Sequence, residues 1–119
     1  MAASTEPVLG LNYGWALGES GWNLQMDSNL QRLGALAQLA VINRITTAPP
    51  ATPADGDRYI VAAAATGAWV GKDAQVAVWR AGISAWEFYA PRAGWLCVVL
   101  AEAKLIYYTG TAWSAGVVL

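Results

Sequence analysis

The acids of this sequence are Glu6, Glu19, Asp27, Asp55, Asp57, Asp73, Glu87 and Glu102. Asp55 and Asp57 flank Gly56, and an Asp-x-Asp pair can open a calcium loop. The later ligands of that pattern are missing, so the pair reads as a turn ahead of a strand. Glu87 with a second carboxylate could cleave a glycosidic bond, but no spacing selects its partner. The chain has no histidine, which removes the commonest general base, metal ligand and pH switch. Cys97 is the single cysteine, so no intrachain disulfide can form. It sits in an apolar run, Gly94 to Ala101, and reads as a buried small hydrophobe. A nucleophile elbow, a phosphate-binding loop and zinc spacing are all absent. The expectation is a protein that is not an enzyme and uses no cofactor and no metal.

What remains is a set of flat rings: 7 Trp, 5 Tyr and 1 Phe. Such rings dominate small cores and interfaces. An exposed ring can instead serve as a platform for sugar or peptide. Strand alternation sorts several of them. In Ala85 to Tyr89, Trp86 and Phe88 share one face, while Glu87 and Tyr89 share the other. Val76, Val78 and Arg80 likewise oppose Ala77 and Trp79. Phe88 and Trp86 are therefore expected in the core. Trp69, Trp79, Tyr89 and Trp113 are the candidates for an exposed, glycan-binding set.

These rings need a scaffold. The 119 residues carry 7 Lys or Arg against 8 Asp or Glu, a net charge of −1. That balance offers no electrostatic footprint for nucleic acid or for an anionic membrane. Only 13% of residues are charged and 56% are hydrophobic, against an average charged share of about 25%. So little charge points to a subunit whose faces are covered by neighbours. The alternative is a well-packed monomer with a neutral polar skin. The longest weakly polar run, Tyr59 to Gly71, falls short of the roughly 20 residues that span a bilayer, so no membrane insertion is expected. The first residues lack the pattern of a signal peptide, which implies synthesis in the cytoplasm without export by that route.

The chain reads as one domain of α+β class in three parts. Residues 1–18 form an N-terminal arm, in which Gly10, Gly14 and Gly18 disfavour a helix. An extended arm would lay Leu9, Leu11, Tyr13 and Trp15 on an apolar surface. Residues 19–40 hold one amphipathic helix, about Gly21 to Leu39, with Ser20 as N-cap. Trp22, Met26, Leu30, Leu33 and Ala37 form its apolar stripe. With the arm, this stripe is the expected assembly surface. Val41 to Thr46 reads as a strand or an extended exit, and Pro49, Pro50 and Pro53 stiffen the connection beyond it. Residues 41–119 form the β-domain, a small antiparallel β-sandwich or barrel of about six short strands. Two stretches, Val76 to Phe88 and Lys104 to Gly116, repeat the order strand, Gly, Trp. They read as hairpins whose aromatics flank the turns, Trp79 with Trp86 and Tyr108 with Trp113.

Residues 29–41 (NLQRLGALAQLAV), 49–79 (PPATPADGDRYIVAAAATGAWVGKDAQVAVW) and 86–95 (WEFYAPRAGW) together resemble a family of phage virion domains of uncharacterised function. Its members occur in tail-fibre, head-spike and gene-transfer-agent proteins. The resemblance covers roughly residues 20 to 100 and departs at Gly34, where the pattern has an acid. It implies a virion structural protein, a subunit of a tail fibre or head spike contributing to assembly and host attachment. It also implies a homotrimer, as fibres generally are, with other virion proteins as partners; host surface polysaccharide is the further partner that an exposed Trp and Tyr set would take. It carries no catalytic residues. A carbohydrate-binding module acting through the exposed Trp and Tyr set is the alternative.

Overall fold

The computed structural model of the chain describes residues 3–119. They fall into two compact units that divide between Gln38 and Leu39.

The first unit is a short hairpin on a helix. Strands β1 (Ser4–Thr5) and β2 (Asn12–Tyr13) pair antiparallel, Ser4 opposite Tyr13 and Thr5 opposite Asn12. An extended arm is therefore not what residues 3–18 form. The Glu6 carboxylate is the physical reason. It accepts the backbone N–H groups of Val8, Leu9 and Leu11, each at 2.8 Å. Those bonds, Leu11 first, hold the Glu6 carboxyl below its ordinary value. Gly10, at φ +81°, lets the loop reverse, and a Cβ there would lie 3.0 Å from Nη1 of Arg32. The bend breaks the expected alternation: Leu9, Leu11 and Trp15 are half-buried, and Tyr13 is exposed.

Helix α1 spans Trp22–Leu36. Its N-cap is Gly21 in the left-handed region, with no side-chain capping bond, rather than Ser20. Glycine is the residue that adopts φ +80° without steric cost. The helix also stops short of Leu39, where Ala37 N–H donates to Leu33 O at 2.9 Å. The hairpin docks on the polar side of α1. Asn29 accepts from the Asn12 N–H at 2.8 Å and donates to the Asn12 carbonyl at 2.9 Å. Trp15 Nε1–H donates to Gln25 Oε1 at 2.8 Å, and Arg32 donates to Leu9 O at 3.1 Å. Residues 25, 29 and 32 share one helix face. Asn29 is buried with its amide satisfied, as buried polar groups must be.

The second unit holds two open sheets. One has the order β3-β7-β8-β9: β3 (Ala40–Val41), β7 (Leu96–Val99), β8 (Lys104–Tyr107) and β9 (Val117–Val118). The other is β4-β5-β6: β4 (Arg58–Ile60), β5 (Val76–Arg80) and β6 (Ala85–Tyr89). All pairs in the unit are antiparallel except β3 with β7, which is parallel. The fold is thus α+β with mixed as well as antiparallel sheets, and neither sheet closes into a barrel. Past β3 the chain crosses between sheets: Ile42 N–H donates to Arg58 O and Ile60 N–H to Asn43 O. The Asn43 side chain caps that crossing by accepting from the N–H groups of Ile45 and Thr46.

Period-2 burial runs through β7 and β8 of the first sheet, whereas β4 and β5 of the second are buried on both faces. Val41, Cys97, Val99 and Ile106 are buried on the first; Ile60, Val76, Val78 and Tyr89 on the second. The opposite face of the second sheet carries Tyr59, Ala77, Trp86 and Phe88, over which Trp69 closes from the short 3₁₀ turn Gly67–Trp69. Arg44 ties three distant segments together. It meets Glu102 through two bonds, at 2.8 and 2.9 Å, and donates to the carbonyls of Ser114 and Ala115.

Candidate functional surface

Trp69, first among the ring candidates, is fully buried at 0% exposure. Its ring packs 5.5 Å from Tyr59 and 5.2 Å from Trp86, the latter edge to face. The indole N–H has no hydrogen-bond acceptor. Gly67, at φ +64°, makes the tight turn that drives the ring inward. Trp69 is thus a plug of the sheet rather than a platform. Tyr89 is also buried. Its hydroxyl donates to Glu87 Oε2 at 3.0 Å and accepts from Arg80 at 3.4 Å, while Arg80 Nε–H donates to Glu87 Oε1 at 3.2 Å. Burial pushes the Tyr89 phenol up; Arg80 offsets part of that, and Glu87 adds to it. Glu87 is therefore engaged in an ion-paired network on the strand surface. Asp55 and Asp57 serve the turn: Asp57 accepts from Ala54 N–H, and Asp55 from Ala81 N–H.

Trp79 and Trp113 are half-buried, each packed by its hairpin partner. Trp79 lies opposite Trp86 with ring centroids 5.3 Å apart, and Tyr108 lies opposite Trp113 at 5.2 Å. Trp113 also donates its Nε1–H to Ala74 O at 2.8 Å. Both aromatic pairs bracket their turns as the repeat suggests. The four ring candidates are not brought together on one exposed face, because two of them are core. Among the described residues, no group of three His, Cys, Asp or Glu side chains could hold a metal ion.

The surface that stands out is apolar. On α1, Trp22 is 50% exposed and Leu30 59%, with Met26 and Leu33 half-buried between them. The hairpin sits on the polar side of the helix, so within the first unit it leaves Trp22 and Leu30 exposed. A second surface lies on the β3-β7-β8-β9 sheet. Leu96 stands opposite Tyr107, Val98 opposite Leu105, and Leu105 opposite Val117, so all five side chains share one face. Leu96 is 62% exposed and Val117 69%. Leu96, Leu105, Tyr107, Ser114 and Val117, with Ile106 and Gly116, line a groove of about 310 Å³ there. Sequence reasoning missed this face. Leu96 to Val99 and Leu105 to Tyr108 are unbroken apolar runs, and such runs do not reveal which alternate residues meet solvent.

No helix among the described residues is long and apolar enough to cross a membrane. Among curated proteins none matches the chain. The profile of a family described as "Protein of unknown function (DUF2793)" matches residues 26–114, from Met26 in the first half of α1 through Ser114, and the chain belongs to that family.

Proposed function

We propose that the protein is a non-enzymatic structural subunit of a phage virion, built into a tail fibre or head spike. In this reading it trimerises, docks to other virion proteins and contributes to host attachment. One observation carries the assembly part: the outer face of Leu96, Val98, Leu105, Tyr107 and Val117 is a contiguous apolar sheet surface left open to solvent. Soluble monomers rarely expose apolar patches of more than a few hundred Å², and larger ones mark contact sites. The low charge supports the same reading, since with 13% charged residues the chain has little else to cover its surface. The virion setting comes from the resemblance of residues 29–41, 49–79 and 86–95 to phage fibre and spike domains.

Mass spectrometry of purified particles, from the phage or host that encodes the chain, tests this reading. The protein is expected in washed particles at a copy number that is a multiple of three. Its absence from intact particles, with abundant free protein in the lysate, would overturn the virion assignment.

A further inference from the structure

We infer that the Arg44–Glu102 ion pair is a clasp: it holds residues 115–118 against β8, and its opening in acid dismantles one wall of the apolar groove. The clasp rests on the proposed assembly role of the β3-β7-β8-β9 face and names a control over that face. Ser114, Gly116 and Val117 line the groove and all belong to the stretch that enters β9. Little else secures that stretch. β9 has only two residues, and Val117 and Val118 are 69% and 72% exposed, so burial contributes little. Ser114 is fixed separately: its N–H donates to Tyr107 O at 2.8 Å, and its hydroxyl accepts from Tyr107 N–H at 3.0 Å. Just beyond it, Arg44 donates to Ala115 O at 3.2 Å, as it does to Ser114 O at 2.8 Å.

The Glu102 carboxylate aims the guanidinium. Nε–H donates to Oε2 at 2.8 Å and Nη2–H to Oε1 at 2.9 Å, the two-pronged geometry that fixes the plane of an arginine on a carboxylate. In that plane Nη1 reaches Ser114 O and Nη2 reaches Ala115 O. The Arg44 side chain is only 20% exposed, so it depends on a counter-charge where it sits. Lys104 Nζ stands 4.0 Å from the same carboxylate. Once Glu102 takes a proton, both cations lose their shared anion and repel each other. The guanidinium is then better solvated by turning out to water, and the two carbonyls lose their donors.

The neighbouring groups set the pH range. Hydrogen bonds from Arg44 come first in holding the Glu102 carboxyl below its ordinary value of 4.5; burial opposes them, and the charges of Arg44 and Lys104 add to them. The clasp is therefore closed above pH 4.5 and opens as pH falls through the lowered folded value. Cys97 on β7 also acts on Arg44, but its thiol is pushed up to about 11 and stays neutral in this range. Arg58 on β4 acts on that thiol, and β9 carries no titratable side chain.

Amide hydrogen exchange of the full chain, read by NMR, tests the clasp. Glu102→Gln copies the neutral side chain at pH 7. Relative to the parent, protection of residues 117–119 is expected to fall by about tenfold or more, while Ser114, bonded to Tyr107 O, changes much less. In the parent the same loss should appear as pH falls from about 6 to 3, after correction for the intrinsic pH dependence of exchange, and Glu102→Gln should lose nothing further. Parent-like protection in Glu102→Gln would overturn the clasp. Should that variant fold poorly, Arg44→Lys keeps the charge without the fork: loss confined to residues 117–119 supports the clasp, and loss spread evenly over β7 and β8 contradicts it. Sedimentation equilibrium of the same proteins separates the two readings. Weaker association of Glu102→Gln, together with the lost protection, supports both. A parent chain monomeric at pH 7 that still shows the local loss would overturn the assembly reading and keep the clasp. Local loss with parent-like association would overturn the control over assembly.

Discussion

Replacing Trp69 with Ala should unfold the second unit at much lower temperature. The side chain has no solvent exposure, and it contacts the rings of Tyr59 and Trp86 at 5.5 and 5.2 Å. Truncating a buried Trp to Ala typically costs about 3–5 kcal/mol through lost transfer energy and the cavity left behind. Losing two ring pairs pushes toward the upper end, at about 0.5–1.5 kcal/mol each. Against that stands the indole N–H, buried without an acceptor; removing such a group recovers about 1–3 kcal/mol. The balance is a loss of about 3–4 kcal/mol. At roughly 4–8 °C per kcal/mol for a domain of this size, the melting temperature should fall by at least about 12 °C. Trp69→Phe keeps a ring and discards the orphaned donor, so it should cost less than about half as much. Thermal melts monitored by near-ultraviolet circular dichroism measure both. A fall of less than about 4 °C for Trp69→Ala would refute the view that this ring closes the sheet.

Other consequences are open to equally direct tests. Gly116→Ala should destabilise by about 2–4 kcal/mol in urea titration, because its φ is +94° and a Cβ would lie 2.6 Å from Ile106 Cγ2 and 3.0 Å from Leu105 O. Cys97 is buried, and desolvation pushes its thiol up to about 11. At pH 8 it should react with a thiol reagent on the order of 100-fold more slowly in folded than in urea-unfolded protein. Arg44 holds the Glu102 carboxyl below its ordinary value of 4.5, first through their hydrogen bonds. A lowered folded-state value means that the stabilisation is complete above pH 4.5 and is lost as pH falls through the folded value. Melting curves of Glu102→Gln between about pH 6 and 3 should therefore show a shallower acid dependence than the parent.

Local alternation was the most legible part of the chain. It places Trp86 and Phe88 against Tyr89 and Glu87, and Ala77 and Trp79 against Val78 and Arg80, as the β5–β6 register has them. The two aromatic hairpins were legible for the same reason: residues facing each other across a short turn are near in sequence. The N-terminal fold was not. Its shape depends on one carboxylate collecting three N–H groups and on Asn29 reaching back to Asn12, and side-chain-to-backbone bonds leave no periodic trace. Exposure was legible only in part. Trp69 and a surface Trp look alike in sequence, and the turn at Gly67 decides which way the ring points. The parallel pairing of Ala40 with Val98 and Val41 with Val99 joins residues far apart along the chain, which no local pattern encodes.

The mass of the full chain in solution tests the central claim most directly. Native mass spectrometry over a wide concentration range should find a trimer that persists to low micromolar protein, its copies covering the open apolar face of the β3-β7-β8-β9 sheet. A chain that remains monomeric at the highest concentration, with Leu96 still open to solvent, would contradict the account.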